Sequence, residues 1–258
     1  MIEQGKEVNK ARAVYYAMFS RFFAYSADIS RYFELLNFID ILEKNPLDDT
    51  TAKAFKELKK LLAKDSNASL LSEYDKIFED PSTSTIRTTA SFYDDGLESG
   101  KKRLEVINFL AKTKIRRDEK SFTENEDSIG FLLSFMAELL TLVNQGNEQY
   151  LELSTCVFKE VINNFIDEIS RDIYEHENAK IFKQVIILLQ AFMEFERMYL
   201  EVSKPKLSEK EKEEPKQEEQ ISEKEKQRRA KNKLLRAKGP KKEKEEPFIA
   251  YDTEDDVK

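Results

Sequence analysis

The chain is poor in the residues on which much enzyme chemistry depends. Its 258 residues include one cysteine, one histidine, six glycines and no tryptophan. A single cysteine cannot form an intramolecular disulfide or a multi-cysteine metal site, which is typical of proteins from a reducing compartment. A lone histidine also disfavours a zinc or iron centre. Neither GxGxxG nor GxxxxGK[ST] occurs, so no glycine-rich phosphate loop is indicated. We therefore predict no metal and no cofactor.

Long apolar runs are also missing. The first 13 residues are polar and lack the apolar core of a secretory signal. The longest apolar stretch, Val185–Met193, is interrupted by Gln190 and falls short of the roughly 18 residues that a membrane-spanning helix needs. These patterns predict a protein without a membrane span, located in the cytoplasm.

Charge divides the chain in two. Residues 204–258 contain 17 Lys/Arg and 15 Asp/Glu with few apolar side chains, and such a segment cannot bury enough apolar surface to offset the entropy of ordering. We predict a disordered charged tail over 204–258 and one folded domain over 1–203. The folded part carries a net charge of −9.

Apolar residues in 1–203 recur with helical spacing almost throughout. The clearest stripe is that of Ile129, Leu132, Leu133, Met136, Leu139, Leu140 and Val143, which predicts a central, largely buried helix. A weaker stripe of Leu104, Ile107, Leu110 and Ala111 predicts another helix that packs through this face. No alternating strand pattern is evident, so we predict an all-α fold, a single helical domain.

Two connections between the predicted helices are unusually long. Residues 79–97 are rich in Ser and Thr and show no helical stripe, and a loop of this length inside a domain favours a functional role. Residues 112–125 lead into the central helix. Thr123 and Glu126 fit the S/T-x-x-E capping box, which predicts that the helix begins there.

The remaining reactive side chains do not indicate an enzyme. Cys156 lies inside a predicted helix, 20 residues from His176, and is interpreted as a buried structural thiol. His176 lies between two predicted helices and is interpreted as a surface or C-terminal-turn residue. The acids Glu124, Glu126 and Asp127 are better explained by the dipole of the helix that follows them than by acid–base catalysis.

Three short segments follow one another in the middle of the chain: EYDKIFEDP (Glu73–Pro81), SFYDDG (Ser91–Gly96) and ENEDSIGFLLSFMAELL (Glu124–Leu140). Their succession resembles the redox-enzyme maturation chaperones of the TorD/DmsD/NarJ type. The resemblance covers about residues 1–200 and implies an all-helical cytoplasmic protein that is not an enzyme.

The first two segments match two elements of that family. Tyr74 and Phe78 match its Tyr-x-x-Leu-Phe element, with Ile77 in place of Leu. Ser91 and Tyr93 match its Ser-x-Tyr element.

The third segment matches the entry to the family's central helix. Glu124 and Asp127 match a Glu-Pro-x-Asp-His element, in which Asn125 and Ser128 replace Pro and His. Ala90 stands before the loop serine, where Glu is common.

The resemblance implies a chaperone that binds the twin-arginine signal peptide, or another apoprotein segment, of a molybdenum oxidoreductase while the cofactor is inserted and before export. Formate dehydrogenase is one candidate client. Such a leader is basic and then apolar, so it requires carboxylates and an apolar groove. The predicted site consists of Asp94, Asp95, Glu124 and Asp127 for the arginines, Tyr74, Phe78, Phe92, Tyr93 and Phe131 for the groove, and Ser91 beside them.

A basic run in the predicted tail supports an alternative. RRAKNKLLRAKGPKK, residues 228–242, holds eight basic residues and no acid, a composition that can contact phosphates. The alternative is an all-helical interaction protein whose basic tail docks on RNA or ribosomes. Under the leading interpretation no nucleic-acid partner is expected.

Overall fold

A computed structural model describes residues 2–118 and 123–205, with side chains from residue 5 onward. Its helices are α1 Ile2–Phe23, α2 Ile29–Leu42, α3 Asp49–Leu61, α4 Ala68–Tyr74, α5 Ala90–Asp95, α6 Lys101–Ala111, α7 Ile129–Asn144, α8 Gln149–Val157, α9 Asn163–Glu175 and α10 Ile181–Tyr199. Within these ranges the only extended pairing is an isolated bridge between Thr89 and Ser128. The predicted all-α fold is confirmed.

Two helices contain single π-helical turns. The turn Asp75–Glu79 extends α4, and the turn Phe158–Ile162 joins α8 to α9. The predicted tail lies outside the described residues, apart from its first two.

Helix α7 is the centre of the domain, as its apolar stripe predicts. It packs most extensively against α1. Gly130 permits this contact, because a Cβ atom at this position would lie 2.6 Å from the backbone oxygen of Phe23. The first turn of α7 therefore sits directly against the end of α1. Buried side chains of α7 are Ile129, Phe131, Leu132, Leu133, Phe135, Met136, Leu139 and Leu140.

Buried polar groups join α10 to α4 and to α1. Glu73 of α4 accepts hydrogen bonds from the backbone N–H groups of Lys180, Ile181 and Phe182, at 2.8 to 3.0 Å. It therefore satisfies the first turn of α10, whose N–H groups have no partner within the helix. At the other end of α10, Glu196 forms a fully buried ion pair with Arg12 of α1.

Three sequence-based expectations are wrong in detail. The segment 79–97 contains the short helix α5. Helix α7 begins at Ile129 with Ser128 as its N-cap, not at the Thr123–Glu126 box. Helix α6 packs through Val106, Phe109 and Leu110, so Leu110 of the predicted stripe is buried as expected, whereas Leu104, Ile107 and Ala111 are exposed.

Candidate functional site

A network of backbone and carboxylate bonds fixes α5 to the start of α7. The backbone N–H of Ser91 donates to Asp127 Oδ2 at 2.9 Å, and that of Ala90 donates to the backbone oxygen of Asp127, also at 2.9 Å. In the opposite direction, the N–H of Ile129 donates to the backbone oxygen of Thr88 at 2.8 Å. Ser91 and Asp127 are completely buried. We call this arrangement the α5–α7 joint.

Tyr74 and Glu124 form a second polar contact beside this joint. The Tyr74 hydroxyl donates to Glu124 Oε1 at 2.9 Å. Thr88 Oγ1 lies 3.4 Å from the other carboxylate oxygen. Burial, followed by the charge of Glu124, raises the pKa of Tyr74 well above its ordinary value. Desolvation by burial also raises the pKa of Glu124, although the surrounding hydroxyls oppose the shift.

The raised pKa of Glu124 predicts a specific pH dependence. A carboxyl group whose folded pKa exceeds the unfolded value costs stability as pH rises through that interval, since the folded state binds the proton more tightly. Glu124→Gln retains an acceptor for Tyr74 but cannot ionise. As pH rises from 4 to 7, we expect the free energy of unfolding of Glu124→Gln to increase relative to that of the wild type. Urea unfolding at each pH measures this difference.

The matched control for this prediction is Glu148→Gln, since Glu148 is an exposed carboxylate at the start of α8. Its stability difference from wild type over the same pH range gives the reference for removing one exposed carboxylate, and the gain in Glu124→Gln is measured against it. If Glu124→Gln behaves like this control, the buried carboxyl group carries no desolvation penalty.

Glu126, predicted to cap α7, instead binds two arginines. Its carboxylate lies 2.7 Å from Arg103 Nε and 3.1 Å from Arg117 Nε. These contacts tie α6 and the segment after it to the start of α7. Glu126 therefore contributes to the structure around the α5–α7 joint.

A groove opens on the outer side of α5. It lies between the loop 84–87, α5 and the C-terminal end of α9, with a volume of about 570 Å³. Its wall includes Phe92, which is 37% exposed, and the largely buried Ile86 and Tyr93. The Tyr93 hydroxyl donates to the backbone oxygen of Arg87, and its ring packs 5.7 Å from that of Phe165 on α9. We call this feature the α5–α9 groove.

Charged side chains line the α9 side of this groove. They are Asp172, Glu175 and Glu177, with Arg87 across from them on the loop. Arg87 is paired with Glu98 at 3.2 Å, so its charge is already balanced.

The α9 carboxylates differ in how they are compensated. Asp172 accepts a hydrogen bond from Arg171 at 3.0 Å. Glu175 and Glu177 form no ion pair within the part of the chain that the structure describes. Both side chains are exposed, and Arg171 attracts Glu175 without forming an ion pair with it.

His176 also lines this groove. It follows the last residue of α9, as the sequence predicts, but it is buried rather than on the surface, with 7% of its area exposed. Its Nδ1 accepts a hydrogen bond from the backbone N–H of Asn178 at 3.2 Å. Its Nε2 is buried and has no hydrogen-bond partner among the described residues.

The structure places some of the predicted site residues in the buried interior and others at the surface. Ser91, Asp127, Tyr74 and Glu124 form the buried α5–α7 joint and its neighbour contact. Phe78 packs against Tyr74 in the core, with ring centroids 4.7 Å apart.

The other predicted residues lie outside that buried set. Phe92 and Tyr93 line the α5–α9 groove, and Asp94 and Asp95 are exposed at the end of the same helix. Phe131 is buried on α7 beside Phe135.

Sequence reasoning missed Glu175 and Glu177, and it did not assign His176 to a site. One signal was present: acidic residues at the C-terminal end of a predicted helix oppose the helix dipole.

Cys156, interpreted as a buried thiol, is half-buried on α8. Over the described ranges, no group of three or more His, Cys, Asp or Glu side chains is arranged to hold a metal ion. Nor does any helix there have the length and apolar character needed to cross a membrane.

Comparison with protein families gives a match to the middle of the chain. The family model described as nitrate reductase delta subunit matches residues 44–171. The match includes the α5–α7 joint and ends within α9, just before Asp172. No curated protein and no solved structure matches the chain.

Proposed function

We propose that this chain, which belongs to the nitrate reductase delta subunit family, binds the twin-arginine signal peptide or another apoprotein segment of a molybdenum oxidoreductase. The family comprises molybdoenzyme maturation chaperones rather than catalytic enzymes, and its members bind molybdoenzyme subunits. In our proposal the chain holds its client in the cytoplasm until the cofactor is inserted and export can follow. Formate dehydrogenase is one candidate client.

The α5–α9 groove is the observation that supports this proposal. It offers a partly exposed aromatic ring at Phe92 together with two exposed carboxylates that form no ion pair among the described residues, Glu175 and Glu177. A twin-arginine leader carries the complementary chemistry, since its basic residues precede an apolar stretch. Burial of the apolar part supplies affinity, and the exposed ion pairs select the partner and its register.

Phe92→Ala tests the apolar part of the proposal. We expect the variant to bind a fluorescein-labelled twin-arginine signal peptide about tenfold more weakly, because the lost aromatic contact removes about 1–2 kcal/mol. Fluorescence anisotropy with the full-length chain and a formate dehydrogenase leader would measure the change. The peptide should show saturable binding to the wild type.

Phe33→Ala is the matched control, because Phe33 is 45% exposed on α2 and does not line the groove. It should bind like the wild type. The proposed function is wrong if the wild-type chain binds neither the leader nor the folded apoprotein of any molybdenum oxidoreductase. Equal losses in both phenylalanine variants would argue against the α5–α9 groove as the binding site.

A further inference from the structure

We propose that the α5–α9 groove binds a basic segment of another polypeptide in an extended conformation, with Glu175 and Glu177 receiving its cationic side chains and His176 donating to one of its backbone carbonyls. This inference rests on the proposed function and specifies the form in which the client segment is bound. It is carried by the C-terminal end of α9, which lies beyond the part of the chain that matches the family model.

The negative charges at the C-terminal end of α9 favour the binding of a cation. The C-terminus of a helix carries a partial negative charge from its unsatisfied carbonyl groups, so acidic residues are disfavoured there. Here Glu175 is the last residue of α9 and Glu177 follows two positions later. The nearby Arg171 and Arg87 already pair with Asp172 and Glu98, respectively, and Arg171 attracts Glu175 without forming an ion pair with it. The unfavourable arrangement is relieved when an external cationic side chain enters the groove.

His176 supplies the second, independent observation. Because its Nδ1 accepts a hydrogen bond from Asn178, the neutral ring carries its proton on Nε2. That N–H is buried without an acceptor, which is costly for a polar group. A ligand that places an acceptor beside it removes this cost.

The nature of that acceptor distinguishes an extended segment from a helix. In a helix the backbone carbonyls are already bonded within the segment, except in the last turn. In an extended segment they are free to accept, and alternate side chains can face the carboxylates and the ring of Phe92. The combination of one donor, two acids and one aromatic ring therefore fits an extended basic segment.

Charge-neutral variants test the acidic part. We expect Glu175→Gln/Glu177→Gln in the full chain to weaken binding about three- to tenfold for a peptide with two adjacent arginines ahead of a leucine-rich stretch. The control Glu148→Gln/Glu152→Gln removes the same charge from exposed positions of α8 outside the groove and should bind within about twofold of the wild type. Replacing both peptide arginines with citrulline should abolish the difference between wild type and the groove variant.

Two histidine variants test the donor. In His176→Asn the amide oxygen can replace Nδ1 as the acceptor for Asn178, but no group replaces the Nε2 donor. We expect it to bind the peptide about fivefold more weakly. His176→Gln places an amide donor near the position of Nε2 and should bind within about twofold of the wild type. A helix-stapled version of the peptide should bind less tightly than the unmodified one.

The outcomes separate this inference from the proposed function. If the wild type binds a molybdenum-enzyme leader while the acidic double variant and His176→Asn bind it equally well, the assignment of the groove is wrong and the function stands. Tighter binding of the stapled peptide would overturn the extended conformation. A change in self-association of the acidic double variant, measured by sedimentation without a change in peptide binding, would make a second copy of the chain the occupant.

Discussion

Arg12→Met is expected to lower the free energy of unfolding by about 3–5 kcal/mol, because it leaves a carboxylate buried without its cation. Arg12 and Glu196 have completely buried side chains. Two parallel bonds join them, Nε to Oε1 at 2.6 Å and Nη2 to Oε2 at 2.8 Å. After the substitution, the Glu196 carboxylate retains, among the described residues, only the hydrogen bond from the Tyr16 hydroxyl, at 2.8 Å. Urea unfolding of the variant and the wild type measures the loss.

A double substitution shows where this cost originates. Arg12→Met/Glu196→Met removes both charges and places apolar side chains of similar length in the core, so it should recover most of the lost stability. Lys60→Met is the surface control, since Lys60 pairs with Glu57 at 2.6 Å while both side chains are exposed. It should change stability by less than about 1 kcal/mol. A comparably small loss in Arg12→Met would show that the buried pair does not hold α1 to α10.

This ion pair illustrates what the sequence reveals and what it does not. The helices that contain Arg12 and Glu196 are predictable, because helical periodicity depends only on near neighbours in the chain. The pairing spans 184 positions, and nothing in the local pattern distinguishes these two charged residues from those on the surface. Glu73 is a similar case, since its partners are backbone groups of α10.

Helix α6 shows the limit of periodicity itself. Leu104 and Ile107 are one apolar pair on this helix, and Val106 and Phe109 are another. Either pair can form the buried face. The structure buries Val106 and Phe109, and Leu104 remains 62% exposed. Only the position of the neighbouring helices decides between two such faces.

The candidate site depends on contacts of the same long-range kind. The Thr123–Glu126 box fits the local capping pattern, but α7 does not begin there. The helix begins at Ile129, whose N–H donates to the backbone oxygen of Thr88, and the N–H of Ser91 donates to Asp127 just before it. The three segments that resemble the chaperone family do meet, since Tyr74 bonds to Glu124 and Ser91 to Asp127. The order of these segments in the sequence does not show which of their residues face solvent. Solvent exposure determines whether a residue stabilises the fold or can bind a ligand.

Gly130→Ala is expected to destabilise the domain by about 3 kcal/mol, the upper part of the range for overpacked core positions. The added methyl group would lie 2.6 Å from the backbone oxygen of Phe23 and 2.9 Å from its carbonyl carbon. A backbone group cannot rotate away as a side chain can, so the start of α7 must move away from α1. Thermal and urea unfolding would measure the loss.

Gly5→Ala is the matched control for this substitution. Gly5 lies within α1, and a Cβ atom there meets no atom within 4 Å. Alanine is favoured over glycine inside a helix, so Gly5→Ala should leave stability unchanged or raise it by up to about 1 kcal/mol.

Because Gly130 follows Ser128 and Asp127, displacement of α7 in Gly130→Ala should also loosen the α5–α7 joint. Amide hydrogen exchange of Ser91 and Ile129 should then increase more than that of α10, and equal protection in both regions would show that the close approach of α7 to α1 does not position the joint.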